Sequence, residues 1–112
     1  MPAIPSPSMS NATRPHEQHI TVDHDVTLRT LVHQGTHPTA FVLVHGLASN
    51  ARLWDGTAAA LAARGHTVVA LDQRGHGLSS KPDHGYDFST VVADLLAVIE
   101  QLGLDRPVVV GQ

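Results

Sequence analysis

The chain has 112 residues, of which 42 % are apolar and only 15 % charged, with 7 basic against 10 acidic side chains. That length suits one modest domain, and basic residues scattered singly exclude the clustered footprint of a nucleic-acid binder, so no such partner is expected. Cysteine is absent, which rules out disulfide stapling, a thiol nucleophile and Cys-rich metal sites and fits a cytoplasmic setting.

Residues 1–18, rich in Pro, Ser and Asn, read as a flexible tail. Pro2, Pro5, Pro7 and Pro15 interrupt it, and it lacks the basic start and apolar core of a secretory leader. Its Asn11-Ala12-Thr13 sequon is a chance match without such a leader. No apolar run approaches the ~20 residues needed to cross a bilayer, so no membrane partner is expected. A strand over His19 to Val22, a turn at Asp23 to Asp25 and a strand over Val26 to His33 form a predicted antiparallel hairpin at a sheet edge.

The pattern then changes. Ala40 to Val44, Thr67 to Leu71 and Val108 to Val110 are almost continuously apolar, as strands buried on both faces are. Helical spacers separate them, which predicts a mostly parallel α/β sheet with helices on both faces. The first spacer, Arg52 to Ala63, places Trp54, Ala58, Leu61 and Ala62 on one face. In the second, Phe88, Val91, Val92, Leu95, Leu96, Ile99 and Leu102 follow an amphipathic rhythm. Asp87 or Ser89 caps its start and Gly103 ends it. Pro107 opens the last strand without costing an interior hydrogen bond.

In such sheets ligands lie beyond the carboxyl ends of the strands. After Val44 comes HGLASNARLW. Gly46 lets the backbone turn tightly and approach a ligand, and the next amide, of Leu47, is placed to donate to an oxyanion. No motif assigns His45 a carboxylate, so its ring is read as making a structural hydrogen bond in the loop. Asn50 is a candidate cap for the following helix. Ala48 and Trp54 are candidate pocket residues, Trp54 also being a candidate for the core.

After Leu71 comes DQRGHGLSS. Asp72 is placed to tie down neighbouring amides or Arg74. Gly75 and Gly77 allow a compact left-handed path, and Ser79 can fix the exit. This chemistry suits a rigid scaffold behind an active site, with Asp72 and His76 in supporting roles. Competing signatures fail. The dinucleotide pattern G-x-G-x-x-G and the phosphate loop are absent, and no H-E-x-x-H occurs among the nine histidines, so neither cofactor nor metal is expected.

Together, FVLVHGLASNARLW, VVALDQRGHGLSS and VVVGQ resemble the amino-terminal portion of an α/β-hydrolase, over roughly residues 20–112. The resemblance implies that Leu47 supplies one oxyanion-hole amide. It implies that Asp72 to Ser79 form the scaffold loop after the fourth strand. It implies that Gly111-Gln112 are the first two positions of the nucleophile elbow, G-x-S-x-G. The match reaches the second elbow position and stops, so residues 19–112 are expected to be a partial domain without nucleophile, acid or base. The implied parent is a serine-type hydrolase of an ester or related carbonyl, acting on a small molecule by acyl transfer without a cofactor. Aspartate-nucleophile relatives, the haloalkane dehalogenases and epoxide hydrolases, are the alternative, and a non-catalytic fragment is a third reading. The chain alone is expected to be inactive, marginally stable and prone to self-associate through its last strand.

Overall fold

A computed structural model describes residues 14–112. The first thirteen positions of the expected tail, with the sequon at Asn11, lie outside the described residues. The elements run β1 (His16–Asp23), β2 (Val26–His33), β3 (Phe41–Val44), a 3-10 turn (Ala51–Trp54), α1 (Asp55–Ala63), β4 (Val68–Leu71), α2 (Phe88–Gln101) and β5 (Val108–Gly111). They build one five-stranded sheet in the order β1-β2-β4-β3-β5. The hairpin lies on one side, with β2 antiparallel to both β1 and β4. Strands β4, β3 and β5 are parallel. The expected α/β architecture, with helices on both faces and an antiparallel edge hairpin, is the one observed.

Alternate strand residues point to opposite faces, so each face has its own core. Leu28, Val32, Val42, Val69 and Leu71 form one with Val98, against which Leu95 and Ile99 of α2 and Leu102 at its C-cap pack. Leu31, Leu43, Val68 and Ala70 form the other with Ala51 and Ala58, joined by Trp54, Leu61 and Ala62. The expected face of the first helix is therefore the buried one.

Four details differ from expectation. Strand β1 starts inside the expected tail, because His16, Glu17 and Gln18 pair with Val32, Leu31 and Thr30. The Thr30 hydroxyl adds a bond to the Gln18 carbonyl at 2.7 Å. The first helix opens as a 3-10 turn, with the Leu53 amide donating to the Asn50 carbonyl at 3.3 Å, while the Asn50 side chain caps it as expected by accepting from the Arg52 amide at 2.9 Å. On α2, Val98 is the fully buried residue, while Phe88 and Leu96 are 84 % and 58 % exposed. Strand β5, apolar enough in sequence for burial on both faces, leaves Val108 and Val109 43 % and 46 % exposed; it pairs with β3 alone, at the open edge expected of the last strand.

The α2 cap is the expected Asp87, whose carboxylate accepts from the Thr90 amide at 3.1 Å. Bonds from the Ser89 and Thr90 hydroxyls, with that amide, hold its pKa down to about 2. Among the described residues no helix is long and apolar enough to cross a membrane.

Candidate active site

The carboxyl ends of β3, β4 and β5 bring three segments together: the turn after Val44, the loop after Leu71, and Gly111-Gln112. The last two are joined to the first by specific bonds.

Asp72 anchors the loop after β4. It is fully buried. One carboxylate oxygen accepts from the Ala51 amide at 2.7 Å. The other accepts from the Leu78 amide at 2.9 Å and from Arg29 Nε at 2.8 Å. Burial alone would raise its pKa; the two amides and the guanidinium reverse that and hold the carboxyl below its ordinary value. The expected role as a tie for neighbouring amides is therefore present, but the cationic partner is Arg29 of β2 and not Arg74. Arg74 turns the other way. Its Nε and Nη2 form a fork on the Asp94 carboxylate of α2 at 2.6 and 2.8 Å, both side chains being buried.

Gly75 and Gly77 adopt the expected left-handed path, with φ of 83° and 53°. At Gly77 a Cβ would also collide with the Asp72 carboxylate, so the loop can fold over its anchor only with glycine there. The Ser79 hydroxyl donates to the Asp72 carbonyl and accepts from the Arg29 amide at 2.8 Å, which fixes the exit to β2.

His45 is buried and makes structural bonds. Its Nε2 accepts from the Gln73 amide at 3.0 Å, so the ring proton sits on Nδ1, which donates to the Gly46 carbonyl at 2.7 Å. The Gln73 side chain donates back to the His45 carbonyl at 2.6 Å. Burial pushes the His45 pKa below its ordinary value, against the Gly46 bond, which favours the charged ring. His76 lies beside it, with ring centroids 4.8 Å apart. Its Nε2 accepts from the Ala48 amide at 3.0 Å, and its Nδ1 donates to the Arg74 carbonyl at 3.0 Å.

Between these supports sits the turn Gly46–Ala48. The Gly46 amide donates to the Gln112 side-chain oxygen at 3.1 Å, and the Gln112 amide donates to the Val44 carbonyl at 3.1 Å. Ala48 is held in the left-handed region at φ 63°. Leu47 lies between the two tied amides with its side chain in solvent and, among the described residues, no partner for its N–H. The turn thus presents one unpaired donor near the end of β5.

An apolar cavity of about 310 Å³ lies between α2 and the strand ends, bounded by Leu28, Val44, Leu71, Val91, Val92, Leu95 and Val109, with Gly111 at its rim. Neither Ala48 nor Trp54 lines it. Trp54 packs into the core on the α1 side. Among the described residues no three His, Asp or Glu side chains converge as metal ligands would.

Four contributors escaped the sequence reading: Arg29, Gln73, Asp94 and the Gln112 side chain. Two left a signal. Arg29 interrupts an apolar strand, and Asp94 sits in the apolar stripe of α2 between Val91 and Val98. A charge in such a position needs a buried partner.

Residues 39–112 match the sequence model of the alpha/beta hydrolase fold family. The chain is 42 % identical over 67 residues to the non-heme haloperoxidase of Rhodococcus erythropolis, covering 60 % of this chain and 24 % of that protein. It is 40 % identical over 72 residues to epoxide hydrolase A of Mycobacterium tuberculosis, covering 62 % and 22 %. The crystal structure of epoxide hydrolase A from Mycobacterium thermoresistibile superposes with a TM-score of 0.75 at 31 % identity, covering 87 % of this chain and 31 % of that one. The chain therefore spans about a quarter of the length of the curated relatives it matches. With three strand-end segments arranged as the motifs require and the family match running over most of the chain, this protein belongs to the α/β-hydrolase family.

Proposed function

We infer that this chain supplies the oxyanion side of a serine-type hydrolase site acting on an ester or related carbonyl of a small molecule. The observation that carries the reading is the unpaired Leu47 amide, held next to Gly111-Gln112. In this reading a serine follows Gln112 and attacks the substrate carbonyl. The Leu47 N–H and the amide after the serine then receive the developing negative charge.

His45, His76, Ser79 and Ser80 support a division of labour in which the triad lies elsewhere. His45 and His76 each spend both ring nitrogens on backbone groups. The Ser79 hydroxyl is bound to the Asp72 carbonyl, and Ser80 accepts from the Thr27 amide. The 112 residues alone are thus proposed to lack ester turnover, and to associate through the open edge of β5. Sedimentation of the purified chain tests the second point: a monomer at high concentration would remove it.

A second reading, with aspartate as nucleophile, is favoured by the similarity to epoxide hydrolase A. The coding sequence that follows Gln112 separates the two. Serine, any residue and glycine supports the first; aspartate supports the second. An ester assay with a serine-directed fluorophosphonate label on the polypeptide so encoded completes the test. Labelling of that serine is expected, and an unlabelled protein that opens epoxides would replace the first reading with the second.

A further inference from the structure

The geometry points to His76 and Gln112 as a two-point clamp that positions the Leu47 amide; this rests on the reading that Leu47 receives the oxyanion. The turn Gly46–Ala48 has three consecutive backbone donors. An oxyanion hole needs a donor held still and aimed before charge develops, because reorganisation during the reaction costs rate. Here the outer two donors are each occupied by a side chain from a different segment. Gln112 Oε1 takes the Gly46 amide at 3.1 Å, and His76 Nε2 takes the Ala48 amide at 3.0 Å. Only the middle donor is left for a ligand.

Both arms of the clamp are themselves supported. His76 can accept at Nε2 only while its proton is on Nδ1, and the Arg74 carbonyl, 3.0 Å away, holds the proton there. Arg74 is in turn locked to Asp94. Gln112 is fixed by its own backbone, whose amide extends the β3–β5 ladder to the Val44 carbonyl. Ala48, whose Cβ disfavours φ of 63°, is the residue whose amide His76 holds.

These are positioning residues, not groups that touch the substrate. The first test is nuclear magnetic resonance of the ¹⁵N-labelled chain. His76 is expected to show a protonated Nδ1 and an unprotonated, hydrogen-bonded Nε2; the opposite tautomer would overturn the clamp. In H76F the Ala48 amide is expected to exchange about tenfold faster, the size of one lost hydrogen bond, and H76Q, which returns an acceptor near the same place, is expected to restore it. Q112A and Q112E should do the same at Gly46. Unchanged exchange at Ala48 in H76F, or equal acceleration at the Asp72-bound amides of Ala51 and Leu78, would sink the idea. In the polypeptide that includes the nucleophile, H76F should lower kcat about tenfold with KM unchanged and H76Q should recover it; a change in KM alone would count against positioning. A wild-type polypeptide without ester turnover would instead remove the functional reading, with the resonance data still deciding the clamp.

Discussion

The loops after β3 and β4 sit side by side at the same end of the sheet, yet they are built on opposite plans. The loop after β4 folds over a fully buried Asp72 that binds two amides and a guanidinium, and a second buried ion pair, Arg74 with Asp94, ties it to α2. The turn after β3 is exposed and hangs on single bonds from His76 and Gln112, with Leu47 93 % in solvent. The contrast separates two tasks. One loop stores stability in desolvated charge, where loss of any partner is expensive. The other keeps a donor unpaired and accessible, which excludes that kind of stabilisation. The scaffold reaches the exposed turn through His45 and His76, each bonded to both loops, so rigidity is transmitted without burying the donor.

The loop after β4 is most sensitive at Asp72. Replacing Asp72 with alanine leaves the Arg29 guanidinium buried without its main partner and frees two amides, and the expected loss is about 3–5 kcal/mol. Denaturant titration measures it, and a loss under ~1 kcal/mol would show that the loop does not rest on this carboxylate. Acid attacks the same scaffold. The His45 pKa is lowered by folding, so its contribution is present above the ordinary 6.5 and is lost as pH falls below it. The Asp72 pKa is also lowered, so its contribution is present above 3.8 and is lost as pH falls through the folded value. Stability should therefore decline in two stages on acidification, with the second stage smaller in D72N, where Asp87, held down to about 2, still contributes to it. A melting temperature independent of pH from 7 down to ~4 would contradict the assignment of His45.

Gly77→Ala is the next step down. It places a Cβ against Asp72 at a left-handed φ, with an expected cost of about 2–3 kcal/mol by thermal melting. The smallest effect belongs to the exposed turn. Ala48→Gly should relieve backbone strain and raise stability by about 1 kcal/mol while loosening the turn, seen as faster exchange of the bonded amides of Gly46 and Ala48. Stabilisation together with slower exchange would mean that the turn is held by something other than His76 and Gln112.

Much of this end of the molecule is legible in the chain. His45-Gly46-Leu47 and Asp72 through Ser79 announce themselves because each follows an apolar strand and carries glycine at its turn, and at Gly75 and Gly77 a side chain would clash. The left-handed path at Gly75 and Gly77 follows from those residues alone. The partners do not. On local grounds Asp72 is placed to tie down neighbouring amides or Arg74, and nothing local points to Arg29. Arg74 loses because its side chain leaves the loop toward Asp94 on α2, while the antiparallel pairing of β2 with β4 brings Arg29 alongside: the Asp72 amide bonds the Arg29 carbonyl at 2.9 Å.

Val108 to Val110 have the composition of a strand buried on both faces, and as the last strand they are also expected to leave an open edge. In the order β1-β2-β4-β3-β5 that edge is present, and the valines are half-exposed. By itself, then, the sequence determined which segments are strands and helices, which turns need glycine and which family the motifs resemble, because those properties depend on residues close together in the chain. Only the tertiary structure decided that Asp72 belongs to Arg29, that Arg74 belongs to Asp94, and that Gln112 and His76 close on the turn at Leu47. Each of those contacts joins residues at least 20 positions apart, so it is set by how the strands line up in the sheet rather than by any local preference.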